Sequence, residues 1–184
     1  TNNGTLNGGV GFDSTYKAFT FDGTDDYIEG NLNGITNGQW AHTMSFWFKL
    51  SAKSQTTFTY IAQIGKRGTN GQGTLVATRN NLFSFGVWGD SRIETNIEPI
   101  LGEWYHISAV YSGGVFYDNA TLYINGIGYD KNNGSTGSIR DEGDPLTFLT
   151  TGNKITLGKQ MDVSSDYFTG SIANFRLYSK ALNA

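Results

Sequence analysis

The chain has 184 residues with 16 acidic and 13 basic side chains and no cysteine, which gives a net charge of −3 and excludes disulfide and thiol chemistry. With a pI near 5.3, nothing draws it to a phosphate backbone or an anionic membrane, and no apolar run approaches the roughly 20 residues that span a bilayer. Its 25 glycines against 2 prolines, with 14% aromatics, suit many strands joined by tight turns in one domain, residues 1–184. That domain reads as cut from a longer polypeptide, because it starts at Thr1 without a methionine.

Residues 1–16 are small and polar, with Leu6, Val10 and Phe12 as apolar anchors, and predict an irregular lead-in with a short edge strand over 9–12. Phe19 and Phe21 share one side of a strand, Asp22-Gly23-Thr24-Asp25 reads as a turn, and Tyr27-Ile28 begins the return strand. Residues 43–50 carry the cleanest period of two. Met44, Phe46, Phe48 and Leu50 face a core, and Ser45, Trp47 and Lys49 face away. A strand over 58–64 precedes a Gly-rich loop over 65–73. Strands over 75–78 and 82–88 form a hairpin around Arg79-Asn80-Asn81, with Phe83, Phe85 and Val87 inward and Ser84, Gly86 and Trp88 outward. Arg92–Glu94 is a short strand before a turn at 99–102.

The stretch 103–126 is the local statement of a sandwich core. Tyr105, Ile107, Ala109 and Tyr111 alternate, Leu122 and Ile124 repeat the spacing, and Asn125-Gly126 supplies residues that tolerate positive φ in a tight hairpin. Val115-Phe116-Tyr117, beside Gly113-Gly114, reads either as an exposed aromatic tip or as an inward-packing strand, and periodicity does not separate the two. Residues 130–145 form a polar exposed loop, followed by short strands over 147–149 and 154–157. In the last strand, over 167–178, Ile172 is out of phase with Phe175 and Leu177, so burying all three requires a bulge near Ala173-Asn174. Many short strands without a crossover helix give an all-β jelly-roll sandwich of two antiparallel sheets.

The motifs FTFDGTDDYI (19–28), TMSFWFKL (43–50), EWYHISAVY (103–111), ATLYINGIG (120–128), ITLGK (155–159) and FTGSIANFRLYSKAL (168–182) resemble those of a laminin-G-like domain of the concanavalin A-like lectin/glucanase superfamily. Their wording is similar to domains of virus and phage structural proteins. The resemblance implies a glycan- or protein-binding module placed outside the cell, on a cell surface or on a virion, and able to join a larger surface assembly. It also implies Ca2+ at the sandwich rim. The candidate ligands are Asp22, Asp25 and Asp26, with Asn174 where many relatives carry Asp, and a second cluster at Asp141, Glu142 and Asp144. The competing role for these aspartates is to cap their own turns.

Two regions suit a glycan. The outward residues Trp47, Trp88 and His106, with Ser45, Lys49, Ser84 and Ser108, would form one flat aromatic face for the apolar side of a sugar ring. The rim loops instead offer Lys66, Arg67 and Arg140 as hydrogen-bond donors. Glycoside hydrolysis needs two carboxyls flanking the bond, and no strand presents that spacing. Asp90 and Glu94 come nearest. The expected function is therefore a non-catalytic carbohydrate-binding module. The alternative is a protein-interaction or structural module of a capsid, fibre or adhesin, and a diverged glycosidase or lyase comes third. Neither nucleic-acid binding nor membrane insertion is expected.

Overall fold

A computed structural model of the protein describes residues 3–34, 38, 40–53, 57–67, 72–88, 91–133 and 152–183. Two antiparallel sheets of seven strands are packed face to face. Sheet I runs in the order β1 (Gly4–Asn7), β4 (Tyr27–Asn31), β13 (Lys154–Leu157), β6 (Phe58–Gly65), β7 (Gly73–Arg79), β8 (Leu82–Val87) and β9 (Arg92–Glu94). Sheet II runs β12 (Ile127–Tyr129), β11 (Ala120–Ile124), β10 (Trp104–Tyr111), β5 (His42–Leu50), β14 (Thr169–Tyr178), β3 (Ala18–Asp22) and β2 (Gly11–Asp13).

The core lies between the sheets and is mostly aromatic. Met44, Phe46, Phe48 and Leu50 of β5 are buried as their spacing predicts, and they meet Phe83 and Phe85 of β8. Ring contacts knit the layers. Phe48 lies edge-on to Phe83 at 5.8 Å, and Phe85 lies edge-on to Phe116 at 4.9 Å. His42 adds a polar link across the gap, with Nε2 2.9 Å from Thr74 Oγ1 on β7 and Nδ1 2.8 Å from the Trp40 carbonyl.

Turn chemistry follows the sequence closely in places. Asn80-Asn81 and Asn125-Gly126 all have positive φ, as type I′ hairpins require. Residues 116–119 resolve the open choice between tip and strand: they make one helical turn, α1 (Phe116–Asn119), with Phe116 fully buried and Tyr117 nearly so. The bulge in β14 also sits where the phase slip demands it, with the register against β5 shifting between Ala173 and Arg176.

Two expectations fail near the N-terminus. The lead-in forms two short edge strands, β1 and β2, one in each sheet, rather than a single strand over 9–12. Strands β3 and β4 are not a hairpin either, because they belong to opposite sheets and residues 23–26 carry the chain between them. That crossing is organised by Asp26, 3% exposed, whose Oδ2 accepts from the Asp22 amide at 2.9 Å and whose Oδ1 accepts from the Gly9 amide at 2.5 Å. The strand expected over 147–149, like residues 134–145 of the polar loop, lies outside the described residues.

Candidate functional site

The side chains of sheet I that point away from the core build a cleft of about 270 Å³, lined by Phe58, Tyr60, Leu75, Arg79, Ser84, Gly86, Val87, Trp88 and Arg92. Strand pairing puts these residues together. Tyr60 lies opposite Ala77, Ala77 opposite Ser84, Leu75 opposite Gly86 and Gly86 opposite Arg92. Gly86 keeps the floor low, since a Cβ there would come within 3.0 Å of Arg92 Cβ.

Three rings form a ladder along the cleft. Phe58 and Tyr60 stack at 5.3 Å and 20°, and Tyr60 and Trp88 at 6.1 Å and 22°. Arginines lie over the outer two rings. Arg67 is 5.6 Å from the Trp88 ring, and Arg79 and Arg92 are 5.6 and 5.9 Å from Phe58. Arg79 is held in place by Glu94, 5% exposed, through Nη1 at 3.1 and 3.4 Å. Tyr60 is buried between its neighbours. Its hydroxyl accepts from Gln160 Nε2 at 3.2 Å, and burial, with Asp166 adding to it, pushes its pKa up to about 12. Residues 158–168 fold over this side of sheet I, fixed by Gln63, which donates to the Lys159 carbonyl at 3.0 Å and accepts from the Met161 amide at 3.1 Å.

Among the described residues, three buried polar atoms of the cleft-lining side chains have no hydrogen-bond partner: Arg79 Nε, Ser84 Oγ and Trp88 Nε1. Each such atom costs about 1–3 kcal/mol, so a cluster of them marks a place where stability has been given up.

The predicted ligand residues separate into two groups. Trp88 lines the cleft and Arg67 lies over its ring, while Trp47 and His106 sit on the outer face of sheet II, on the far side of the sandwich. The expectation of one face shared by Trp47, Trp88 and His106 therefore fails, because outward alternation means opposite directions in the two sheets. On sheet II the expected neighbours do assemble. Trp47 and His106 lie 5.2 Å apart, His106 Nε2 is 3.1 Å from Ser45 Oγ, and Ser108 Oγ is 3.5 Å from Ser45 Oγ. Partial burial lowers the pKa of His106. Lys66 is exposed beside Arg67, and Arg140 lies outside the described residues.

Phe58, Tyr60, Arg79 and Arg92 were not anticipated as site residues. Their signal is a phase conflict in β6: Phe58 and Tyr60 keep one parity while Ile61 and Ile64 go to the core, and a bulge between Tyr60 and Ala62 reconciles them.

At the acidic turn, carboxylate oxygens of Asp22, Asp25 and Asp26 lie within 4.8 Å of one another. Asn174 does not join them. Asp22 pairs with Thr169 at the start of β14, whereas Asn174 follows Ala173 farther along and lines a groove with Trp47 and Trp104. Both Asp26 oxygens accept backbone amides, and Asp22 Oδ1 accepts from the Thr24 amide at 2.7 Å. These carboxylates would supply only part of the six to eight oxygens of a calcium shell. The second cluster, Asp141, Glu142 and Asp144, lies outside the described residues.

The laminin G family model matches residues 22–184, which take in every strand from β4 to β14. The chain belongs to the concanavalin A-like lectin/glucanases superfamily. No curated protein matches this superfamily member in sequence. Among solved structures, domain 4 of AbnA, an extracellular arabinanase from Geobacillus stearothermophilus in complex with arabinotriose, is similar at a TM-score of 0.67 and 17% identity, covering 98% of this chain and 84% of that one. The receptor binding domain of botulinum neurotoxin D is similar at 0.66 and 17% identity, over 99% of this chain. The present chain spans 45% of the toxin domain's length. A heptameric SAP-like pentraxin from Limulus polyphemus is similar at 0.58 and 16%, covering 89% of this chain and 76% of that one. At these identities the likeness to lectin-like jelly rolls is one of fold.

Proposed function

We propose that this domain is a non-catalytic carbohydrate-binding module that takes a saccharide in the cleft over β6, β7, β8 and β9. The observation that carries the reading is the Phe58–Tyr60–Trp88 ladder with arginines over its two outer rings. Aromatic faces receive the apolar side of a sugar ring, and guanidinium groups donate to its hydroxyls in forked pairs. No carboxylate lines the cleft among the described residues, and nearby Glu94 is committed to Arg79. The paired acid and base of a glycosidase therefore have no counterpart there.

Two similar folds support the glycan reading. The arabinanase domain was solved with arabinotriose, and cell entry of botulinum neurotoxin type C is described as dependent on two ganglioside molecules. The proposal extends to an extracellular, cell-surface or virion setting, where several copies would raise a weak single-site affinity by avidity. No helix among the described residues is long and apolar enough to cross a membrane. Calcium enters the proposal only as a weakly held ion at the free oxygens of Asp22 and Asp25.

The test is a glycan array probed with a multimerised chain, followed by Trp88→Ala. The variant should weaken binding at least about tenfold, equivalent to about 1.4 kcal/mol. Unchanged binding in the variant would refute the cleft as the site. Failure on every glycan together with tight binding of a protein would replace this reading with that of an adhesion or structural module.

A further inference from the structure

The outer face of sheet II holds an aromatic groove that the proposed cleft does not use. We infer that it is a second saccharide-binding site, for a neutral oligosaccharide, centred on Trp47 and Trp104. The two sites would then lie on opposite sides of the sandwich and make a single copy of the domain bivalent.

The groove measures about 320 Å³ and is lined by Tyr16, Trp47, Trp104, Ala173 and Asn174. Trp47 stands on β5, the middle strand of the sheet, and is 41% exposed. One flank of its ring packs on His106, and Ala173, its partner on β14, is too small to cover the other. Because Trp47 pairs with His106 and Lys49 with Trp104, the two indoles are diagonal neighbours across β5 and β10, within reach of one ligand. The Lys49 ammonium is held 5.0 Å from the Tyr16 ring and 5.3 Å from the Trp104 ring. It presents donors from a fixed place. The β14 bulge puts Asn174 in the left-handed region at φ 52° on the opposite bank, which adds an amide acceptor and donor.

The composition selects the ligand. Rings interrupted by a lysine and an amide suit a sugar, which alternates apolar faces with hydroxyls. A protein partner would need a contiguous apolar patch, but Leu6, Phe12 and Ile127 lie on sheet-edge strands and Ile100 and Leu101 lie at a turn. Among the described residues no carboxylate lines the groove, and the charge of Lys49 already faces two rings, so a neutral sugar fits better than a charged one.

The chain has four tryptophans, so four indole N–H signals report the outcome in an NMR titration of the intact domain. Each signal is assigned by a Trp→Phe variant, and the probes are arabinotriose, xylotriose and cellotriose. At least one probe should move the Trp47 and Trp104 signals with a Kd on the order of 1 mM, and should do so equally in Trp88→Ala. Trp47→Ala, which removes its own signal, should abolish the Trp104 shift while leaving the circular dichroism unchanged. Polysaccharide-coated beads should be cross-linked by the wild type and not by Trp47→Ala. Movement of the Trp88 signal alone, or of none, would overturn the second site, and either result leaves the cleft to the glycan array. The second site stands without the first; only bivalence rests on the two together.

Discussion

Acidification should destabilise the domain through His42 in a definite pH window. Its Nδ1 faces the Trp40 carbonyl at 2.8 Å and must carry the proton, so the neutral ring accepts at Nε2 from the Thr74 hydroxyl. Complete burial between the Trp40 and Tyr111 rings lowers its pKa from 6.5 to about 4, against a weaker upward pull from the Trp40 carbonyl. The unfolded chain keeps the ordinary value, so between pH 6.5 and about 4 it binds a proton that the folded state refuses. Stability is therefore full above the unfolded pKa, falls as pH drops through this window, and levels off below about pH 4, where both states are charged. A gap of that size corresponds to about 3 kcal/mol, or a fall in Tm of about 6–12 °C for a domain this large. Urea denaturation at a series of pH values, wild type against His42→Gln, isolates the histidine from the carboxylates that titrate in both. The variant should be less stable at pH 7, because Thr74 and Trp40 lose a well-placed partner, yet lose about 3 kcal/mol less on acidification. A variant that loses as much as the wild type between pH 7 and 4, or an imidazole resonance that titrates near the ordinary value, would refute the reasoning.

Asp26→Asn keeps the shape but removes one acceptor from the pair of backbone ties to Gly9 and Asp22, and should cost about 1–3 kcal/mol. Hydrogen exchange should then quicken in β1 and β2 before it does in β5. CaCl2 at about 1 mM should raise the Tm by no more than about 2 °C, as for a weakly held ion near its Kd, and a rise like that of a ligand at about 100 Kd, about 2.7 kcal/mol, would make the turn a tight metal site. Gly170→Ala should prevent folding or cost about 4 kcal/mol or more, because the added Cβ would collide with the Lys49 carbonyl and come within 2.7 Å of the Phe168 ring. Its check is the yield and melting curve of the variant.

The alternation in β5, the Asn125-Gly126 hairpin and the slip of phase between Ile172 and Phe175 are all legible in the sequence, because each is a local consequence of backbone period or φ preference. The site was not readable in the same way. Period two says that Trp47 and Trp88 point away from a core, but not that their strands lie in different sheets, which depends on pairings between distant segments. Phe58 and Tyr60 were hidden by the β6 bulge, since a one-residue insertion exchanges the two sides of a strand without changing its composition. Asn174 illustrates the same limit: the family resemblance places it with the Asp22 turn, whereas the strand register carries it to the Trp47 groove.

The position of β14 also sets the order in which the domain can assemble. It inserts between β5 and β3, so the β2–β3 edge of sheet II has no partner until the final strand arrives. The Thr43 hydroxyl adds a clasp, donating to the Lys180 carbonyl and accepting from the Leu182 amide at 3.0 Å each. Within this domain the β2–β3 pair must wait for the last of the fourteen described strands, a pairing of high sequence separation that favours slow closure. Removing that segment would cut the β2–β3 pair off from the rest of sheet II rather than trim a free edge.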